Sequence, residues 1–224
     1  RDPHAYAGAT TSDATSVMMG DIVQTDGASV RLKVEVIAQT PIDRIEVRNG
    51  TEVVSTLRPY QDSELGRRFR VLWSGAEYRG RGRDTDWRGR VRFTGNTIER
   101  IAKINGWHKE RLLERRGPDT VVFEAVTTGN YSGFDVWLDD GDAGQLEGST
   151  NLGEMSVSLA DIDAAGVRMD AGGLNRAVTV ARLPDANPHR EMCGEVDIAL
   201  RAKGDNPLWV SGYTEDGFQA WSSP

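Results

Sequence analysis

The sequence predicts an all-β fold, an antiparallel β-sandwich of ten or more short strands with at most one short helix, on three observations. Apolar and polar residues alternate in short runs, as on strands with one face buried and one wet. Gly, Asn, Asp and Pro break those runs at close intervals, where turns need them. The chain of 224 residues holds 25 glycines and only 38% hydrophobic residues, a composition suited to many strands joined by turns.

Residues 1–27 have little period and predict an irregular lead-in with a short strand near 16–19. Over 29–38 Val30, Leu32, Val34 and Val36 alternate with Arg31, Lys33 and Glu35, the clearest strand of the chain. Pro41 closes it. Ile45 and Val47 then alternate with Arg44, Glu46 and Arg48, Asn49-Gly50 turns the chain, and 53–57 returns. Strand, Pro, strand, Asn-Gly, strand has an immunoglobulin-like or fibronectin-like flavour, without the Cys-Trp-Cys spacing of a true immunoglobulin domain.

Phe69, Val71 and Trp73 form the next apolar face with Arg68 and Arg70 opposite; Val91 and Phe93 form another with Arg90 and Arg92 opposite. Ile98, Ile101 and Ile104 continue the region. WHKERLLERRGPD is the one stretch with helical character, its Leu112 and Leu113 set among good helix formers and stopped by Gly117-Pro118. From Thr120 onward strand patterns return around Phe123, Phe134, Val136, Met155, Val180 and Ile198, with turns at Gly129-Asn130, Asp140-Gly141 and Gly172-Gly173. The closing PLWVSGYTEDGFQAWSSP predicts a hairpin turned at Asp216-Gly217, with Trp209, Tyr213 and Trp221 as core aromatics. No repeat or linker divides the chain, so the expectation is one domain over 1–224 with a seam near 117–118.

Charge and composition exclude several function classes. A net charge of -7 argues against general affinity for nucleic acid, so YRGRGRDTDWRGR is better taken as charged outward strand positions. No apolar run approaches the roughly 20 residues that span a membrane, and no segment resembles a signal peptide. The single Cys193 cannot form an internal disulfide and fits a reducing compartment, which favours the cytoplasm. It sits in a turn-like EMCGE whose glutamates argue against a thiolate nucleophile.

His4, His108 and His189 are scattered singly, without the three or four convergent ligands a zinc site needs. No nucleophile elbow, phosphate loop or dinucleotide fingerprint occurs, so no cofactor is expected in this chain. The most interesting cluster is GNYSGFDVWLDDGDAG, residues 129–144. With Phe134, Val136 and Leu138 toward the core, Asp135, Trp137 and Asp139 share the opposite face. An exposed Trp beside carboxylates is a candidate sugar platform or calcium site; the plainer alternative is a covered Trp and acids that cap a turn.

The strings TTGNYSGFDVWLDD, DAGGLNRAVTVARLPDA and NPLWVSGYTEDGFQAWSSP, with RDPHAYAGAT, MMGD and TPIDRIEVRNG near the start, resemble the C-terminal region of an uncharacterised bacterial family. Its N-terminal part resembles the PHP (polymerase and histidinol phosphatase) metal-dependent phosphoesterases. The resemblance covers nearly the whole chain. It implies that the metal motifs lie upstream and that no catalytic residue transfers to these positions. It also implies a last strand that runs on past Pro224, and places Arg1, His4 and Tyr6 where the catalytic domain passes into the sandwich, as candidate interdomain contacts.

The resulting expectation is a non-catalytic accessory module, excised from a longer protein, whose partner is the parent's own N-terminal catalytic domain. The alternative is a carbohydrate-binding sandwich that takes a glycan on Trp137, with Trp73, Trp87 or Trp221 beside it.

Overall fold

A computed structural model describes residues 16–106 and 112–222. Arg1, His4, Tyr6 and His108 lie outside them. The described residues form sixteen strands in four antiparallel sheets and no helix beyond two short 3-10 turns, so the all-β expectation holds. Where one domain with a seam near 117–118 was expected, the chain divides into two compact units, 1–59 with 188–224 and 60–187. The second unit is thus inserted in the chain of the first. Gly117-Pro118 lies inside the second unit, in a tight turn where Gly117 adopts a φ of 77°.

The first unit contains β1 (Ser29–Ile37), β2 (Ile42–Asn49) and β3 (Glu52–Leu57). After the insertion come β14 (Glu191–Ala199), β15 (Leu208–Thr214) and β16 (Gln219–Trp221). Among the described residues β1 pairs only with β14, and a second sheet runs β16-β15-β2-β3. Val34, Ile42 and Ile45 form the core, with Leu32, Val36, Leu57, Met192 and Val210 packed on it. The alternation read from β1 therefore holds: its valines and leucine face inward, its charges outward. The Asn49-Gly50 turn joins β2 to β3 with Gly50 at a φ of 64°, a conformation that glycine adopts without steric cost.

The second unit is a sandwich of two five-stranded sheets. Its strands are β4 (Arg68–Ala76), β5 (Thr85–Thr94), β6 (Ile98–Ile104), β7 (Leu113–Arg116), β8 (Thr120–Thr127), β9 (Tyr131–Leu138), β10 (Gln145–Thr150), β11 (Gly153–Ser158), β12 (Val167–Asp170) and β13 (Leu174–Leu183). One sheet runs β11-β10-β5-β8-β7 and the other β12-β13-β4-β9-β6. Between them Trp73 stacks on Phe123, centroids 4.0 Å apart and planes 2° from parallel. Trp87 is wholly buried and its indole N–H donates to Thr127 Oγ1 at 2.9 Å, which satisfies the one polar atom that burial would penalise. Gly133 lets β9 approach β4 closely: a Cβ there would stand 2.0 Å from the Val71 carbonyl oxygen.

Several expectations are corrected. Residues 16–19 form no strand and are exposed. The helical reading of WHKERLLERRGPD fails where it is described: Leu113–Arg116 is strand β7, hydrogen-bonded to β8 with Leu113 opposite Phe123, while residues 107–111 lie outside the described set. Glu and Arg are good helix formers, but intrinsic propensity is a small term, and pairing with the partner strand overrides it. Cys193 is in mid-strand on β14, opposite Glu35, not in a turn. The terminal hairpin exists, with Gly217 at a φ of 95°, but only Tyr213 of its aromatics is buried; Trp209 is half-buried and Trp221 is 70% exposed on the edge strand β16.

Candidate functional site

The cluster around Trp137 follows from strand register. Alternation on β9 turns Asp135 and Trp137 away from the core that Phe134, Val136 and Leu138 fill. Pairing with β4 sets Arg70 opposite Asp135 and Arg68 opposite Trp137; pairing with β6 sets Arg100 on the other side of Trp137. Arg70 grips Asp135 with two bonds, Nε to Oδ1 at 2.8 Å and Nη2 to Oδ2 at 3.1 Å. Arg68 adds a third from Nε to Oδ2 at 3.1 Å, and its Nη2 bonds the same oxygen. The three side chains are only 5–6% exposed. Such bidentate, charge-assisted bonds are the geometry in which a buried carboxylate is tolerated.

Trp137 is half-buried rather than open. The Arg100 guanidinium lies 3.6 Å from its ring centroid and that of Arg68 4.9 Å, and its indole N–H donates to the Asp185 carbonyl at 2.9 Å. Asp185 in turn accepts the Arg67 amide at 2.6 Å. The structure therefore brings Asp135 and Trp137 together, but with each already engaged by arginine. Asp139 stands at the end of β9 and accepts the Thr97 amide at 2.6 Å.

The acidic turn after β9 is similarly occupied. Asp140 Oδ1 accepts the amides of Asp142 at 2.8 Å and Ala143 at 3.1 Å, and these two bonds hold its carboxyl below the usual carboxylate range. Asp142 pairs with Arg182 at 2.7 Å. Among the described residues no three carboxylate, His or Cys side chains converge on a metal position. Asp140 caps the turn, and Arg182 holds Asp142.

A second cluster, which the sequence showed only as alternating charges, lies on β2 and β15. Arg44, Glu46 and Arg48 share one face of β2, and register places Tyr213, Ser211 and Trp209 opposite them in that order. Arg44 Nε donates to Glu46 Oε1 at 2.9 Å and Arg48 Nη2 to Oε2 at 2.6 Å; Tyr213 donates to Oε2 at 3.3 Å. The Arg44 guanidinium covers the Tyr213 ring at 3.9 Å, and that of Arg48 stands 5.3 Å from Trp209. Burial by itself pushes the Glu46 carboxyl up, but the charges and hydrogen bonds of Arg44 and Arg48 outweigh it and hold the group below its ordinary value. The signal that could have found it is the sign pattern plus, minus, plus at every second residue. Nothing in the sequence pointed to Arg100 or Asp185 beside Trp137.

The arginine-rich face of β5 carries both signs. Arg88 stands opposite Glu124 and Arg92 opposite Glu147, and Arg92 pairs with Asp119 at 2.8 Å. That interspersion fits a solvated sheet face rather than a phosphate-tracking groove. No helix among the described residues is long and apolar enough to cross a membrane.

Compared with family models, with curated proteins and with solved structures, the chain matches none.

Proposed function

We propose that this chain is a non-catalytic accessory β-sandwich module of a PHP-like metal-dependent hydrolase, which packs on that enzyme or presents substrate to it. The observation that supports this reading is the engagement of the acidic side chains around Trp137 by the chain's own donors: Asp135 by Arg68 and Arg70, Asp139 by the Thr97 amide, Asp140 by its turn, Asp142 by Arg182. A face so cross-bonded is rigid and shape-defined, which suits docking. The choice of partner rests on the resemblance of NPLWVSGYTEDGFQAWSSP and its companion strings.

The test is to assay the purified chain for bound metal and for phosphoester hydrolysis with Mn or Zn added, beside the longer protein with and without this region. The expected result is no turnover by the chain alone, with the region's removal changing the KM or melting temperature of the remainder. Stoichiometric metal with hydrolysis by the chain alone overturns the proposal, as does a reading frame upstream of Arg1 that encodes no metal-binding domain.

The carbohydrate-binding alternative retains one specific support, the exposure of Trp221 and Phe218 on the terminal hairpin, since Trp73 and Trp87 are buried and Trp137 carries a guanidinium. Quenching of tryptophan fluorescence across a glycan panel, abolished by Trp221→Ala, would favour it; a flat response would end it.

A further inference from the structure

We infer that the outer edge of β1 is a self-association surface, on which two copies of this chain pair antiparallel about a two-fold axis at Val34. The backbone sets which residues that edge offers. The β1–β14 register runs unshifted from Ser29↔Ala199 to Ile37↔Glu191. At its two ends the Leu200 amide donates to the Ala28 carbonyl and the Ala38 amide to the Arg190 carbonyl, each at 2.8 Å. Hydrogen-bonded pairs alternate in an antiparallel ladder, so the even-numbered residues of β1 aim their backbone groups at β14. Arg31, Lys33, Glu35 and Ile37 aim theirs at the opposite edge, where no strand among the described residues pairs.

The side chains on that edge are self-complementary in one register. A two-fold axis at Val34 puts Lys33 opposite Glu35 of the second copy, twice over, and Arg31 opposite Ile37, which is 81% exposed. Within one copy Lys33 already bonds Glu35 at 2.7 Å. The pair of copies therefore sets each of these four charges between two of opposite sign, on exposed side chains that need little desolvation. On the inward face Leu32 meets Val36 and Val34 meets itself, which extends the apolar surface without a break. Moving the axis one residue either way sets Lys33 against Lys33 or Glu35 against Glu35, which like-charge repulsion disfavours. The β14 edge offers no such match: its exposed row of Glu191, Cys193, Glu195 and Asp197 holds acids and a thiol. The result is a four-stranded sheet, β14-β1-β1-β14, a closed and isologous contact.

Sedimentation of the whole chain from low to high micromolar concentration tests this. Wild type is expected to show a monomer–dimer equilibrium. Lys33→Glu and Glu35→Lys, each alone, weaken it by more than about tenfold, because each creates two like-charge pairs per dimer. Mixing those two variants restores a dimer, since each position then meets its opposite, and so does the double swap K33E/E35K. The mixture also guards against misfolding, because unfolded variants would not rescue one another. A wild type that stays monomeric throughout, or single variants that dimerise unchanged, or a mixture that does not associate overturns the inference.

Discussion

Each unit of this protein holds one carboxylate between two arginines beside an aromatic ring, and the two arrangements differ in how they are built. Glu46 sits between Arg44 and Arg48 on its own strand, two residues from each, while Asp135 on β9 is held by two arginines from β4. In the first the arginines keep 23–26% of their surface in water; in the second all three groups are nearly dry. A cross-strand carboxylate can be sealed by the sheet around it, whereas an in-strand ladder lies along a surface that water still reaches. The same chemistry should therefore matter more around Asp135, because a buried charge that loses its partner has no solvent to replace it.

Asp135→Asn is the sharpest way to break this comparison. It removes the carboxylate that neutralises two buried guanidiniums and should cost about 3–5 kcal/mol, read as a drop in the urea midpoint and faster amide exchange in β4 and β9. Gly133→Ala comes next. The added Cβ falls on the Val71 carbonyl, so β9 must move from β4, at about 1–3 kcal/mol by the same measurements.

Glu46→Gln should cost less, about 1–2 kcal/mol, read as amide exchange in β2 and β15. It also carries a pH signature. The folded Glu46 has a lowered pKa, so its contribution is complete above the unfolded value of about 4.3 and is lost as pH falls through the folded value. The difference in stability between wild type and Glu46→Gln should thus be constant near neutrality and shrink in acid. A Glu46→Gln that costs more than Asp135→Asn would show that burial does not rank the two clusters. Smallest is Arg100→Ala, which uncovers Trp137 and should cost about 0.5–1 kcal/mol with a change in tryptophan emission.

Part of this was legible in the chain. The alternation of Val30 to Val36, of Phe69 to Trp73 and of Phe134 to Leu138 assigned both strand and buried face correctly, because a strand's facing is set by neighbours two residues away. Asn49-Gly50 and Asp216-Gly217 marked their turns for an equally local reason, the need for positive φ. Asp135, Trp137 and Asp139 were placed on one face, and Asp135 and Trp137 stand there together.

What the tertiary structure alone decided is what those faces meet. Arg70 reaches Asp135 across 65 residues of sequence and Trp137 reaches Asp185 across 48, separations that no local pattern encodes. The strand at Leu113–Arg116 overrode a helical composition because β8 offered a ladder, and the division into two units arose because residues 60–187 close a sandwich of their own. Trp221 shows the same limit from the other side: its alternation suits a core, yet the edge position of β16 leaves it in water. Periodicity fixes which way a side chain points within its strand, while burial and partnership depend on which strands come to lie beside and above it.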